Sequence, residues 1–321
     1  MNFAKLIMAV AALVLTFCGP AAQAQTTVRL LIGFSGVVDT IARVYAEKLA
    51  EGIGRPVVVE IRGGATGQIA VMALKASAPD GNTLLVSPDS AYTIYPHTFK
   101  TLPYDAFKDL VPIAHVGGVD YALAVGAGAP PNNLKEWINW VKADKKNAAY
   151  ATAGAGTIPH FMGLMLAKEI GVPLVHVPYR STPQAITDLM GGQLPAVITS
   201  FVNLHSQARA GKIRIIAHAG GQWTSIAPGV PTFRELGFPA LEASTSFIIC
   251  APAGIRPELV ARYNEIVTQA QRTAAVRERM ASLGLDLREM TPAEIAAMLK
   301  VEHDRWGGVV RATGFSAVGS Q

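Results

Sequence analysis

Residues 28–61 read VRLLIGFSGVVDTIARVYAEKLAEGIGRPVVVEI, and this stretch decides the fold class. Val28 to Gly33 is an apolar run of strand length. Asp39 stands where a helix N-cap is expected, and Ile41, Tyr45 and Leu49 recur every four residues behind it, the spacing of one helix face. Gly52 and Gly54 stop that helix. Val57-Val58-Val59-Glu60-Ile61 then predicts a second strand, so the segment reads strand, helix, strand.

The same alternation continues outward. Gly63, Gly64 and Gly67 bracket the turn into a helix over 69–76, Pro79-Asp80-Gly81 is a turn, and Thr83 to Val86 predicts a third strand. The pattern restarts after Ala127-Gly128-Ala129-Pro130-Pro131. Leu134, Trp137, Ile138 and Val141 form a helical stripe, and the helix's two tryptophans, Trp137 and Trp140, are assigned to core packing rather than to a ligand cage. Strands are expected near 148–152, 174–177, 196–198 and 213–218. Pro257 to Met280 reads as one long helix. Thr291-Pro292-Ala293-Glu294 is a capping box that opens another helix through Trp306. Strands alternating with helices imply an α/β protein with a mostly parallel sheet. Two such units with a helical tail predict a bilobal fold: lobe one from 25–124 plus 247–321, lobe two from 125–246. The chain is expected to cross near Leu123 to Val125 and near Ser244 to Phe247.

The composition supports a packed, folded chain. Of 321 residues, 50% are hydrophobic and 16% charged, which argues against disorder. The formal net charge is +5, but the basic residues are scattered, and the nearest approach to a cluster, Lys142, Lys145 and Lys146, falls at a helix end. Binding to nucleic acid is therefore not expected. Met1, Asn2 and Lys5 precede an apolar run from Leu6 to Phe17, and Ala22-Gln23-Ala24 offers small residues to a signal peptidase. An export signal over 1–24, cleaved near Ala24, is expected, which places the mature chain in the periplasm. The rival reading is a lipoprotein anchored at Cys18, against which bulky Phe17 counts. Cys18 and Cys250 are the two cysteines, so loss of the first leaves Cys250 alone, in an apolar stretch that suits a buried thiol.

In an open parallel sheet, ligands collect at the carboxyl ends of strands, where helix N-termini point. Five strand-to-helix loops qualify. They supply the candidate ligand-binding residues Phe34, Ser35, Gly36 and Asp39; Ser87, Asp89 and Ser90; Gly154, Ala155, Gly156, Thr157 and His160; Tyr179; and Thr199 and Ser200. Loops rich in Gly, Ser and Thr present backbone N–H groups and hydroxyls to an anion without needing a lysine. Each loop taken alone also reads as ordinary caps and turns. Asp89 is the odd member: an acid in an anion site repels a carboxylate unless it is turned away or meets a cationic group. His176 falls in a strand and reads as structural. Val37, Val38, Tyr92, Tyr95 and Phe201 would suit an aromatic or branched ligand. No His, Cys, Asp or Glu spacing points to a metal, no dinucleotide or Walker pattern is complete, and no nucleophile–base pair stands out. No catalytic residue, cofactor or metal is assigned.

Several ordered pieces of the chain are similar to one known family. They are Ala42-Arg43 with Lys48-Leu49, Pro56 to Glu60, Ala78-Pro79-Asp80-Gly81 with Thr83-Leu84-Leu85, and Leu102-Pro103-Tyr104-Asp105. Val175-His176-Val177-Pro178-Tyr179, Thr187 to Gln193, Ala251-Pro252-Ala253-Gly254 and Arg305-Trp306 complete the set. Over nearly all of the mature chain the sequence resembles the substrate-binding receptors of tripartite tricarboxylate transporters, the Bug proteins. The resemblance implies a monomeric periplasmic protein of Venus-flytrap type, without catalysis, that holds a small organic carboxylate and docks on membrane permease subunits. The alternative partner is a signalling protein, which would make the chain a carboxylate sensor. Tyr150 through Gly154, Gly156 and His160 matches the family's second-lobe loop, and Tyr179 matches with Arg180 in place of the usual Lys. The first loop departs: residues 34–39 are about two residues shorter than the family's loop, with Val37 and Val38 replacing small residues. Thr199 replaces an acid common there, and Pro88 and Asp89 replace a loop of small residues.

Overall fold

A computed structural model of the chain describes residues 27–221 and 229–315. The export-signal and lipid-anchor readings lie outside the described residues. The opening unit forms as its periodicity predicts. Strand β1 (Val28–Ile32) lies between β2 (Val57–Ile61) and β3 (Thr83–Pro88), parallel to both, with Leu30 opposite Val59 and Leu84. Helix α1 (Val37–Ile53) packs Ile41, Ala42, Tyr45, Ala46 and Leu49 inward and ends on Gly54, whose N–H reaches Ala50 O. Its start differs from expectation. The helix begins at Val37 after Gly36 with no side-chain cap, so Asp39 lies inside the first turn, where it pairs with Arg43 at 3.0 Å. An acid in a first turn still opposes the helix dipole, so the residue type is explained although the position was misread. Helix α2 (Gln68–Lys75) returns from β2 to β3.

Single helical turns α3 (Ser90–Thr93), α4 (Tyr95–Thr98) and α5 (Ala106–Asp109) lead into β4, which runs seventeen residues from Leu110 to Gly126. The sequence reading did not find this strand. Nearly all of it is buried on both faces, so no apolar–polar alternation marks it. Pro112 stands beside one of its two register shifts against β9, a place where the missing N–H costs no ladder bond. The second unit follows: α6 (Leu134–Ala143), β5 (Ala149–Thr152), α7 (Ile158–Ile170), β6 (Val175–Pro178), α8 (Thr182–Met190), β7 (Val197–Ser200), α9 (Phe201–Arg209) and β8 (Ile213–His218). Strand β9 (Ser244–Pro252) then comes back beside β4.

One long helix was expected over 257–280. Instead α10 (Pro257–Arg272) and α11 (Ala274–Ser282) meet at Thr273, which is extended and caps the second helix by accepting from Val276 N–H. Val267, Ala270, Val276 and Met280 are all buried, so apolar spacing alone could not reveal the break. The capping box at Thr291 and Glu294 opens α12 (Pro292–Ala312) as predicted, six residues longer than read.

The sheet order is β2-β1-β3-β9-β4-β7-β5-β6, with β8 also on β4. One group of buried residues forms around β1, β3, α1 and α10, and another around β5, α6 and α7. Helix α12 joins both sides, with Ile295 and Leu299 beside Leu31 and Leu85, and Trp306 and Val310 beside Phe161. Trp137 is fully buried, as its helical stripe predicted.

The second core is tight where α7 meets β5. A Cβ on Gly163 would lie 2.0 Å from the buried Tyr150 ring. Gly163→Ala is expected to lower stability by about 1–3 kcal/mol through overpacking, read by urea denaturation. Gly128→Ala, which meets no atom within 4 Å, should leave it unchanged, and equal stability of the two variants would contradict this packing.

Candidate functional site

The strand directions build the site. β3 is antiparallel to β9, β9 to β4, and β4 to β7. Three reversals leave β3 and β7 pointing in opposite directions. Pro88, at the end of β3, is level with Phe247 and so with Gly117 of β4, whereas Ser200, at the end of β7, is level with Tyr121. The two carboxyl ends therefore face one another along four residues of β4, roughly 13 Å at 3.3 Å per residue. β1 and β2 share the direction of β3, and β5 shares that of β6 and β7. The candidate loops thus converge on one gap from two sides.

On the first side, Gly33 and Gly67 bring two loops into backbone contact: a Cβ on Gly33 would sit 2.6 Å from Gly67 Cα. The Phe34 ring lies over Gly67 and is half-buried, and Ser35 and Gly36 are exposed. Among the described residues, the N–H groups of Ser35, Gly36 and Val37 make no backbone hydrogen bond. Ser87 is buried and donates to Pro88 O at 3.0 Å. Ser90 is half-buried, and the Thr66 hydroxyl donates to Ala65 O.

Asp89 turns away from this role. Its Oδ2 accepts from Ser246 N–H at 3.0 Å and its N–H donates to Ser246 O at 2.8 Å, which ties the end of β3 to β9. Asp89 lines a cavity of about 110 Å³ together with Ser246, Arg288, Glu302 and Arg305, and its Oδ1 is buried without a hydrogen bond among the described residues. Burial pushes its carboxyl up to about 7, partly offset by the Ser246 N–H.

On the second side, the hydroxyls of Thr152 and Thr157 donate to Gly154 O at 2.9 and 3.2 Å. Gly156 N–H donates to His160 Nδ1 at 3.1 Å. Ala155 is exposed, and among the described residues neither its N–H nor that of Thr157 has a backbone partner. Tyr179 directs its hydroxyl to Asp188 Oδ2 at 2.7 Å, which raises the phenol's pKa. Thr199 is buried and accepts from Asn203 at 3.4 Å; Ser200 is half-buried ahead of α9. Ser35, Gly36, Ala155 and Thr157 are thus left with open donors at the gap, whereas Asp39, Asp89 and Thr199 are engaged elsewhere.

The apolar ligand reading loses most of its support. Val38, Tyr92 and Phe201 are buried in the cores, and the Tyr92 hydroxyl meets Cys250 Sγ at 3.2 Å. Cys250 is the buried thiol expected, pushed up to about 12 by burial.

Two features of the site were missed. Ala65 and Thr66 adopt φ of 45° and 54° between Gly64 and Gly67, a left-handed backbone that costs non-glycine residues energy. Thr66 is exposed in this loop after β2, and the Gly63-Gly64-x-x-Gly67 spacing was the available signal. Tyr121 and Thr245 share a 2.7 Å hydrogen bond across β4 and β9, beside the gap. At the rim, Val37 and Thr40 of α1 face Val202 and His205 of α9 around a cleft of about 540 Å³, and residues 281–284 close its end. A Cβ on Gly284 would lie 2.1 Å from Val202 Cγ1, so the two sides touch there.

A model of the tripartite tricarboxylate transporter family receptor matches residues 41–315. The chain belongs to that family. Protein BugT of Bordetella pertussis is similar to this receptor, with 32% identity over 290 residues that cover 89% of each chain. Among solved structures, periplasmic binding protein BugD aligns with a TM-score of 0.75 at 27% identity, covering 90% of this chain and 98% of that one. MatC from Rhodopseudomonas palustris, solved with bound malate, aligns with a TM-score of 0.74 at 29% identity, covering 88% and 98%. The receptor has the bilobal α/β fold of these periplasmic binding proteins, and its family is one of receptors rather than enzymes. Among the described residues no helix is long and apolar enough to cross a membrane.

The Asp89 assignment has a pH consequence. An acid near 3.8 in the unfolded chain and near 7 in the fold opposes folding increasingly as pH rises from about 4 to about 7. Asp89→Asn is expected to gain about 1–2 kcal/mol relative to the parent protein at pH 8, and less at pH 5. Denaturant titrations at both pH values check this, and an equal loss at both would contradict it.

Proposed function

We propose that this receptor captures a small dicarboxylate outside the cytoplasmic membrane, after cleavage near Ala24, and delivers it to membrane permease subunits of a tripartite tricarboxylate-type transporter. Lobe one is assigned to 25–124 plus 247–321 and lobe two to 125–246, with the hinge where β4 and β9 pass between them. The observation that carries the reading is the opposition of the two sets of strand ends across the β4–β9 pair. Each side offers open backbone donors at a helix start, Ser35 to Val37 on one and Ala155 with Thr157 on the other. Such donors gain charge-assisted hydrogen bonds and a favourable helix-dipole field when they meet a carboxylate.

Open donors on both sides of the gap suit a ligand with an anionic group at each end, a small diacid with one carboxylate toward each lobe. The binding of malate by MatC supports the same class. Burial of Val38, Tyr92 and Phe201 leaves half-buried Val37 and Tyr95 as what remains of the apolar set for an aromatic ligand.

A thermal-shift panel tests this reading. A four-carbon diacid at 100 times its dissociation constant should stabilise the protein by about 2.7 kcal/mol, whereas its diamide and an aromatic monocarboxylate should not. Thr157→Val removes the hydroxyl that holds Gly154 O and should weaken diacid binding by about tenfold, by loosening the loop whose N–H groups face the gap. A panel in which no carboxylate shifts the melting temperature, or in which the diamide matches the diacid, overturns the proposal. Capture of the liganded protein by a signalling protein instead of a permease would replace transport by sensing.

A further inference from the structure

The loop from Gly154 to Thr157 is held by two stacked histidines, one on each side of its polarity. His160 is the third residue of α7, and its Nδ1 lies 3.1 Å from Gly156 N. Because that N–H donates, Nδ1 must carry the lone pair, which puts the His160 proton on Nε2. His176 on β6 works in the other direction. Its Nε2 is 2.8 Å from Thr152 Oγ1, and that hydroxyl donates to Gly154 O at 2.9 Å. Thr152 can then only accept from His176, so Nε2 of His176 carries a proton. The two rings stack with centroids 4.1 Å apart. Thr157, at the N-cap of α7, makes no capping bond to the helix and spends its hydroxyl on Gly154 O. The loop's open donors, Ala155 and Thr157 N–H, are therefore positioned by Thr152, Thr157 and His160.

We propose that His160 is a positioning residue: as a neutral imidazole it accepts Gly156 N–H, fixes the ligand loop of the second lobe, and makes ligand affinity fall when the pH becomes acidic. The proposal rests on the dicarboxylate reading for its effect on affinity, but the grip on the loop is independent of any ligand. A protonated His160 has no lone pair at Nδ1, so Gly156 loses its partner. The groups facing the His160 ring are His176 from β6, Phe161 from its own helix, and Phe315 just past α12; the Tyr150 hydroxyl from β5 bonds His160 O at 2.9 Å. Burial lowers the pKa of His160, and burial with His160 as neighbour lowers that of His176 to about 4. Both rings are thus neutral at pH 7, and the hold on the loop is lost as pH falls through the lowered His160 value, below the ordinary imidazole value of about 6.5.

The test compares wild type, His160→Ala and His160→Asn by amide hydrogen exchange over residues 152–160 and by calorimetric titration with a four-carbon diacid, at pH 7.5 and pH 5.5. Asn places Oδ1 where His has Nδ1, accepts the same N–H, and does not titrate. His160→Ala should speed exchange at Gly156 and weaken binding about tenfold at pH 7.5, the worth of one lost hydrogen bond. Wild type should lose affinity several-fold more than His160→Asn between the two pH values. Wild-type exchange and affinity in His160→Ala, or the same acid loss in His160→Asn as in wild type, overturns the role of His160. If wild type binds no carboxylate at all, the proposed function fails, while the exchange rates still decide whether His160 holds the loop.

Discussion

The pairing of β4 with β9 is the constraint on which the rest of the structure depends. β4 spends its first eleven residues on β9 and its last six on β7 and β8, so one strand serves both halves of the molecule. Because β3 joins through β9 and β7 joins on the far side of β4, the two halves must run in opposite directions, and their ligand loops must face each other. No separate feature is needed to make a cleft. Asp89 strengthens the corner where this matters, by exchanging backbone and side-chain bonds with Ser246. Its buried carboxyl costs stability at neutral pH. What that cost supports is a fixed link between the end of β3 and the strand that passes between the lobes.

Much of this was legible because local rules and global fold agree. The four-residue spacing of Ile41, Tyr45 and Leu49, the stop at Gly54 and the capping box at Thr291 each reported their element directly. The loops were legible too, since a strand followed by a helix start places its connection at the carboxyl end of a sheet. The long strand was not. β4 is buried on both faces, and a strand with no wet side carries no period-two signal. The break at Thr273 was hidden for a similar reason, because the apolar face continues unbroken across it.

Within the site, residue type was easier to read than direction. Asp39, Asp89 and Thr199 all stand in the loops where ligand contacts were sought, yet each side chain turns to a protein partner. Spacing cannot tell which way a side chain points when a neighbouring strand arrives from far along the sequence, as Ser246 does. Thr66 was overlooked because its signal is conformational: a left-handed threonine looks ordinary as a letter. The proposed site would hold an anion through helix starts and backbone N–H groups, and its selectivity would then depend on how firmly the loops are held rather than on a single charged residue.

Opposed loops on a shared strand pair imply that ligand binding draws the two lobes together. Small-angle X-ray scattering of the mature protein, with and without a saturating four-carbon diacid, tests that most directly. The account predicts a smaller radius of gyration with ligand bound, reversed when the ligand is removed. Binding shown by calorimetry without any change in the scattering curve would contradict it.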